Sequence, residues 1–192
     1  MTTLILVRHG ETDWNAQHRW QGHSDTALND AGREQARRLA AEFEPVDALY
    51  SSDLARARET AEIIGERLRL DVRLDPRLRE RGFGSWEGLT TEDIEASFPE
   101  EQQRWREGIG AGAPDAEQFE VFAARVGSFV DEIVPRHPGE NVLVVTHGGT
   151  IRVVHALATG LDYVRDHRSI PAVANCSASR FAVREGKLAP ID

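Results

Sequence analysis

Short apolar runs and helical stripes alternate along the chain. Leu4-Ile5-Leu6-Val7 is a continuous run of β-prone residues, the pattern of a strand buried on both faces of a parallel sheet. Asn29 or Asp30 can cap a helix carrying Ala36, Leu39, Ala40 and Phe43 at helical spacing, ended by Pro45. A second strand is expected at Ala48–Ser51. Ala57, Ala61, Ile64 and Leu68 then form one face of a helix starting near Asp53, and Val72 with Leu74 marks a third strand. From Arg79 to Gly112 the periodicity gives way to Gly, Trp and charge, with a short helix over Thr91–Phe98 and a loop through Gly108, Gly110, Gly112 and Pro114. Phe119, Phe122, Val126, Phe129, Val130 and Ile133 restore a strong amphipathic helix, closed by Pro135 and Pro138. Asn141–Thr146 is the clearest strand, a helix comes next over Thr150–Ala158, and Ser179, Phe181 and Val183 alternate as a last strand.

Strands alternating with helices predict an α/β fold, a three-layer sandwich whose mainly parallel central sheet is flanked by helices. In such sheets ligands bind beyond the carboxyl ends of the strands. Two predicted strands run directly into a His-Gly pair, His9-Gly10 and His147-Gly148. If those strands are neighbours, both histidines lie on the ligand edge. The length of 192 residues and 40% hydrophobic content suit one domain over 1–192 with its own core, and residues 82–118 read as a cap within it.

Charge and cysteine content narrow the function classes. The formal net charge of -9 argues against a nucleic-acid or anionic-membrane surface, which needs clustered Lys and Arg. No apolar stretch approaches the roughly 20 residues that span a bilayer, and the N-terminal run lacks a basic flank and is cut short by Arg8. Cys176 is the only cysteine, so no internal disulfide forms and a reducing, cytoplasmic setting is expected.

Three segments carry candidate chemistry. In Arg8-His9-Gly10-Glu11-Thr12, with Asn15 shortly after, a strand-end histidine is flanked by an arginine and by a glycine that permits close backbone approach. Neutral imidazole is a competent nucleophile near pH 7, and guanidinium offers fixed donors to phosphate oxygens. Arg56, in the first turn of the helix after Ser51-Ser52-Asp53, can join backbone N–H groups at an anion site. Glu80, in Leu78-Arg79-Glu80-Arg81-Gly82-Phe83, stands among glycines and aromatics, where partial burial suits a general acid. Taken singly, each segment has a bland reading: a turn histidine, a surface arginine, a solvated charge cluster.

Other reactive residues read as structural. The Cys176 to Arg180 spacing is too short for a cysteine-phosphatase loop, and His18, His23, His137, His155 and His167 lack the spacing of a zinc site. Trp14, Trp20, Trp86 and Trp105 read as packing residues, with Trp86 a candidate for the pocket wall. Arg152 either ties down its helix or touches ligand.

Together the segments LVRHGETDWN, QGHSDTALNDAGREQA, SSDLARARETA, LRERGFGSWEGL and VVTHGGTIR resemble, in order and over nearly the whole chain, the histidine phosphatase superfamily, also called the phosphoglycerate mutase-like fold. The resemblance implies a hydrolase of phosphoric monoesters acting on small phosphorylated metabolites through a phosphohistidine on His9. It gives Arg8, Arg56 and His147 as the clamp on the phosphoryl oxygens and Glu80 as the general acid and base. Asn15, Gln21, Gly22 and Gly148 would border the substrate. The chemistry is metal-independent and needs no cofactor, because two arginines and a second histidine supply the charge stabilisation that phosphoryl transfer requires. Losing one charged donor should cost about 3 kcal/mol in the barrier, roughly a hundredfold in rate.

Two departures qualify the resemblance. Ala113-Pro114-Asp115-Ala116-Glu117-Gln118 stands where many members carry a Gly-Glu-Ser signature, which puts contacts from that loop in doubt. The interval between Glu80 and His147 is shorter than in mutases, which favours hydrolysis over the alternative of a cofactor-dependent phosphoglycerate mutase. A non-catalytic phospho-ligand binding module is the reading from another class, and the complete set of candidates argues against it. A homodimer stays open.

Overall fold

In the computed structural model, which describes residues 1–184 and 186–191, the apolar runs become the interior of one sheet. The elements are, in order, β1 (Thr3–Arg8), α1 (Asp13–Ala16), α2 (Asp30–Glu42), β2 (Ala48–Ser51), α3 (Ala55–Leu68), β3 (Val72–Leu74), α4 (Thr91–Ser97), α5 (Pro99–Arg106), α6 (Phe119–Arg136), β4 (Asn141–Thr146), α7 (Gly148–Thr159), α8 (Tyr163–Asp166), β5 (Ala178–Arg184) and β6 (Lys187–Ile191). The sheet order is β3-β2-β4-β1-β5-β6. β3, β2, β4 and β1 are mutually parallel, and β5 and β6 add an antiparallel hairpin at one side.

Side-chain alternation explains why both faces are covered. Leu4, Leu6, Val142 and Val144 face α6, α7 and the residues after Glu80, whereas Ile5, Val7, Leu143 and Val145 face α2 and α3. A strand buried on both sides cannot alternate apolar with polar residues, which is why these strands read as unbroken hydrophobic runs. The fold is the expected α/β sandwich with a mainly parallel centre. β1 and β4 are neighbours in parallel register, Arg8 opposite Thr146, so His9 and His147 leave the same edge side by side.

Several boundaries differ from the sequence reading. α5 carries no predicted stripe: its sequence PEEQQRWR turns only Gln102 fully inward, so no apolar pattern announces it, and Pro99 at its first turn supplies the start signal instead. β6 carries Pro190 and lies at the edge, where a missing N–H is tolerated. α6 runs through Pro135 to Arg136, because a proline in the last turn removes one hydrogen bond without a further turn to disrupt. α7 starts at Gly148 with His147 as its N-cap residue, two residues earlier than expected.

Residues 82–118 lie across the sheet face that α6 and α7 also cover, pinned by aromatic contacts. Trp20 meets Phe83, Trp86 and Trp105 edge-on at 4.7, 5.8 and 5.9 Å between ring centroids. Gly112 passes so close to Trp86 that a Cβ would sit 2.9 Å from the ring, and its φ of +99° is open to glycine alone. Among the described residues no helix is long and apolar enough to cross a membrane.

Candidate active site

The carboxyl ends of β1, β2 and β4 bring together residues from every part of the sequence. His9 comes directly after β1 and is 3% exposed, and its backbone N–H donates to Thr146 O at 2.9 Å. His147 comes directly after β4 and is fully buried, with the two imidazole centroids 5.2 Å apart. Arg56 enters from the first turn of α3, also fully buried. Glu80 arrives on the irregular segment after the 3-10 turn Pro76–Leu78.

Hydrogen bonds fix how each group is presented. His9 Nδ1 donates to Gly10 O at 2.7 Å, which leaves the Nε2 lone pair free. His147 Nε2 pairs with Ser52 Oγ at 2.9 Å. That hydroxyl accepts from the Leu54 N–H at 3.3 Å and has no other acceptor for its own proton among the described residues, so the proton is assigned to Nε2, which puts that of His147 on Nδ1. Arg56 spans to the carbonyls of Ser24 and Gly22 at 2.8 and 2.7 Å, and Arg8 Nη1 donates to Val173 O at 2.6 Å. The Glu80 carboxylate accepts from the Gly149 and Arg81 N–H groups at 3.0 and 2.9 Å. A Cβ on Gly149 would stand 2.1 Å from Glu80 Oε1, so the second glycine after His147 is required by the acid.

Of the seven buried side-chain nitrogens without a partner among the described residues, three belong to these groups: Nε of Arg8, Nε of Arg56 and Nδ1 of His147. Buried donors in this state are costly, and because Arg8 and Arg56 line one cavity, an anion there could supply the partner their Nε groups lack. Burial, reinforced by the nearby Arg56 and Arg8 charges, holds His9 well below the ordinary histidine range against the raising effect of its Gly10 bond. Burial and Arg56 do the same to His147. Burial lowers Arg56 to about 10 and lowers Arg8 as well, opposed in both by the Glu80 charge. The result is two neutral imidazoles between two guanidinium cations.

Arg8, His9, Asn15, Gln21, Gly22, Arg56 and Glu80 all line one cavity of about 170 Å³. Asn15 Oδ1 is engaged by the α1 cap and by Asn175, so its Nδ2 is the part that serves the cavity. Gln21 is buried, its Oε1 held by the Thr26 hydroxyl at 2.7 Å. Gly148 is beside this cavity, packed against the Arg8 side chain, where a Cβ would sit 3.7 Å from Arg8 Cδ. Helix α7 begins at that residue and carries its backbone behind the arginine. His147 is fully buried, its ring 5.2 Å from that of His9, which lines the cavity.

The sequence reading missed other wall residues. Arg19, Trp20 and Phe83 complete the cavity, and a wider adjoining space of about 390 Å³ is bounded by Arg8, Trp14, Asn15, His18, Arg19, Trp20 and Asn175. Trp14 and Trp20 thus line the entrance, whereas Trp86 is 1% exposed and belongs to the core. Asn175 donates to His9 O at 2.9 Å from the far end of the chain, and no periodicity could have signalled it. Thr60 accepts from the Gly10 N–H at 3.0 Å and donates to Arg56 O at 2.7 Å, one turn after Arg56, a spacing that a helix face makes legible. Arg152 donates to His167 O, tying down its own helix. Burial raises the Cys176 thiol to about 11, the state of an inert side chain. A larger apolar groove of about 400 Å³ between α6, α7 and the β5–β6 hairpin contains none of the candidate residues. Among the described residues no group of three or more His, Cys, Asp or Glu could hold a metal ion.

Comparison with known proteins places the chain in a family. The chain is 36% identical to phosphoglycerate mutase-like protein 4 of Arabidopsis thaliana, over 95% of this chain and 80% of that one. It is 39% identical to glucosyl-3-phosphoglycerate phosphatase of Mycobacterium tuberculosis, over 80% of this chain and 73% of the relative. A solved structure of mycobacterial glucosyl-3-phosphoglycerate phosphatase complexed with VO3 superposes with a TM-score of 0.88 at 35% identity, covering 98% of this chain and 96% of that one. The family model for branch 1 of the histidine phosphatase superfamily matches residues 4–190, the span that holds both strand-end histidines, and the chain belongs to that family.

Proposed function

We propose that this protein is a phosphatase that removes phosphoryl groups from small phosphorylated metabolites through a phosphohistidine on His9. The observation that carries this reading is the Nδ1 bond from His9 to Gly10 O at 2.7 Å. It leaves Nε2 unprotonated and offers a place for the positive charge that the ring acquires when Nε2 is phosphorylated. The depressed pKa of His9 supports it too, since only the neutral ring attacks.

The first step forms the Nε2–P bond and breaks the bond from phosphorus to the alcohol oxygen, which takes its proton from Glu80. In the second step water attacks phosphorus, Glu80 as carboxylate accepts its proton, and the Nε2–P bond breaks to release inorganic phosphate. Arg8, Arg56 and the Nδ1–H of His147 would meet the charge spread over the equatorial oxygens. Asn15, Gln21 and Gly22 would border the phosphoryl group, and the adjoining space by Trp14, Arg19 and Asn175 would take the alcohol.

The relatives' names include both mutases and phosphatases. The short cap and wide entrance support hydrolysis, because water reaches the phosphoenzyme and the alcohol is weakly retained. The chain reads as one domain with residues 82–118 as its cap, and its single cysteine and acidic charge support a cytoplasmic setting. Purified protein should hydrolyse 4-nitrophenyl phosphate and a panel of sugar and hydroxy-acid phosphates in the presence of a chelator, releasing inorganic phosphate faster than any isomeric phosphoester. No turnover by folded protein on any of them from pH 5 to 8 would overturn the reading.

A further inference from the structure

The segment that carries Glu80 has no sheet ladder or helix of its own, and one sheltered ion pair supplies several of its ties beside those from Thr146, Thr150 and Asp53. Arg125, on α6, uses every nitrogen of its guanidinium. Nη1 donates to the carbonyls of Arg77 and Arg79 at 2.8 and 2.7 Å, and Nη2 to the carbonyl of Glu80 at 2.7 Å. Nε and Nη2 then pair with Glu117 Oε1 and Oε2 at 2.7 and 2.8 Å. Glu117 closes the other side, accepting from the Gly82 N–H at 3.1 Å, while its own N–H donates to Gly82 O at 2.9 Å. The two side chains are only 19% and 13% exposed, too sheltered to be dismissed as a solvated surface pair. Glu117 lies in the loop whose sequence departs from the family signature.

We infer that the Glu117–Arg125 pair is a positioning device that holds Glu80 where it can protonate the leaving alcohol, and so sets which phosphoesters the site can cleave. None of the Arg125 bonds goes to the Glu80 carboxylate. The pair therefore fixes where the carboxyl stands without pairing its charge. His23 assists from the opposite side, its Nε2 lying 2.9 Å from Glu80 O. With the pair broken, the Arg77 carbonyl loses its donor and those of Arg79 and Glu80 keep only Thr150 Oγ1 and His23 Nε2, so the segment can shift. Displacement of a catalytic group by about 1 Å costs on the order of a hundredfold. That loss falls on esters whose alcohol cannot leave without a proton. Aryl esters with a stable phenolate leave unaided.

The inference rests on Glu80 being the general acid, and the experiment separates the two ideas. kcat/KM, which reports every step up to alcohol release, is measured on 4-nitrophenyl phosphate and on an alkyl phosphate for wild type, Glu80→Gln, Arg125→Gln, Arg125→Lys and Glu117→Gln, alongside unfolding midpoints. Arg125→Gln should lose roughly 30- to 100-fold on the alkyl ester and less than about threefold on the aryl ester, with Arg125→Lys between it and wild type. Where Arg125→Gln does not fold, Glu117→Gln, which keeps the shape and removes the charge, carries the same comparison. If Glu80→Gln treats both esters alike, the reading of Glu80 as acid falls. If Glu80→Gln discriminates between them while the Arg125 and Glu117 variants lose activity on both esters equally, or on neither, the positioning inference is overturned and the pair is only a structural tie.

Discussion

His9 and His147 end neighbouring parallel strands, each precedes a glycine, and each is buried and held neutral. Their rings are nevertheless set up in opposite senses, one freeing Nε2 and the other presenting Nδ1–H. The cause lies in the backbone beyond each strand. After His9 the chain enters a loop, so the Gly10 carbonyl has no helical partner and accepts from Nδ1. After His147 the chain passes directly into α7, and the His147 carbonyl is taken by the Ile151 N–H. With local carbonyls committed to the helix, the His147 ring takes its partner from the end of β2, through Ser52. Two copies of one short motif thus yield a lone pair and a donor, the two things that a phosphoryl transfer site needs from imidazole.

Replacing each histidine in turn puts the difference to its hardest test. His9→Ala should lower turnover by on the order of 10⁴-fold or more, since the residual site has no nucleophile. It should also abolish the labelled phosphoenzyme trapped by alkaline quench, in which a phosphohistidine survives. His147→Ala removes one donor and should cost roughly 10²- to 10³-fold while still forming labelled enzyme at a slower rate. Equal losses, with label absent from both, would mean that the rings do not divide the work as their hydrogen bonds suggest.

How much of this arrangement could be read from the sequence depends on whether a feature is written locally. The strands were legible because burial on two faces demands unbroken apolar runs, and α2, α3 and α6 because one face of each carries the core. Arg8, His9, Arg56, Glu80 and His147 stood out only together, as ordered segments that resemble one family, since each taken singly had a bland reading. Ring orientation was not legible: it depends on Ser52, which is 95 residues from His147 in sequence. Asn175 and Arg125 were equally hidden: beside one side-chain partner each, Asn15 and Glu117, their bonds go to main-chain carbonyls, which carry no side-chain signature. α5 was missed because its stabilisation comes from Trp105 against Trp20, Trp86 and Phe119 rather than from an apolar stripe.

A milder change sharpens the comparison without removing either ring. Ser52→Ala deletes the hydrogen bond that orders the His147 tautomer, a loss of about 1 to 1.5 kcal/mol or roughly tenfold in kcat. His9 has no bond to Ser52, so labelled enzyme should still form, and the effect should vanish in a His147→Ala background. A Ser52→Ala loss that persists in that background would show that Ser52 acts by another route.

Stability against acid is where the two histidines should become alike. In the unfolded chain each imidazole takes up a proton as pH falls through about 6.5. In the folded protein burial and the two arginines keep both neutral well below that point. The unfolded state then binds more protons, so stability is greatest above about pH 6.5 and falls as the pH drops, by up to about 1.4 kcal/mol per pH unit for each ring. The fall continues until the depressed folded pKa is reached. Urea unfolding at pH 7, 6 and 5 should show this slope in wild type, and His9→Asn and His147→Asn should each flatten it by a similar amount. Inorganic phosphate should also flatten it, because a bound anion favours the protonated rings. A slope unchanged by either substitution would mean that the rings accept protons in the folded state, and the neutral nucleophile would then need another explanation.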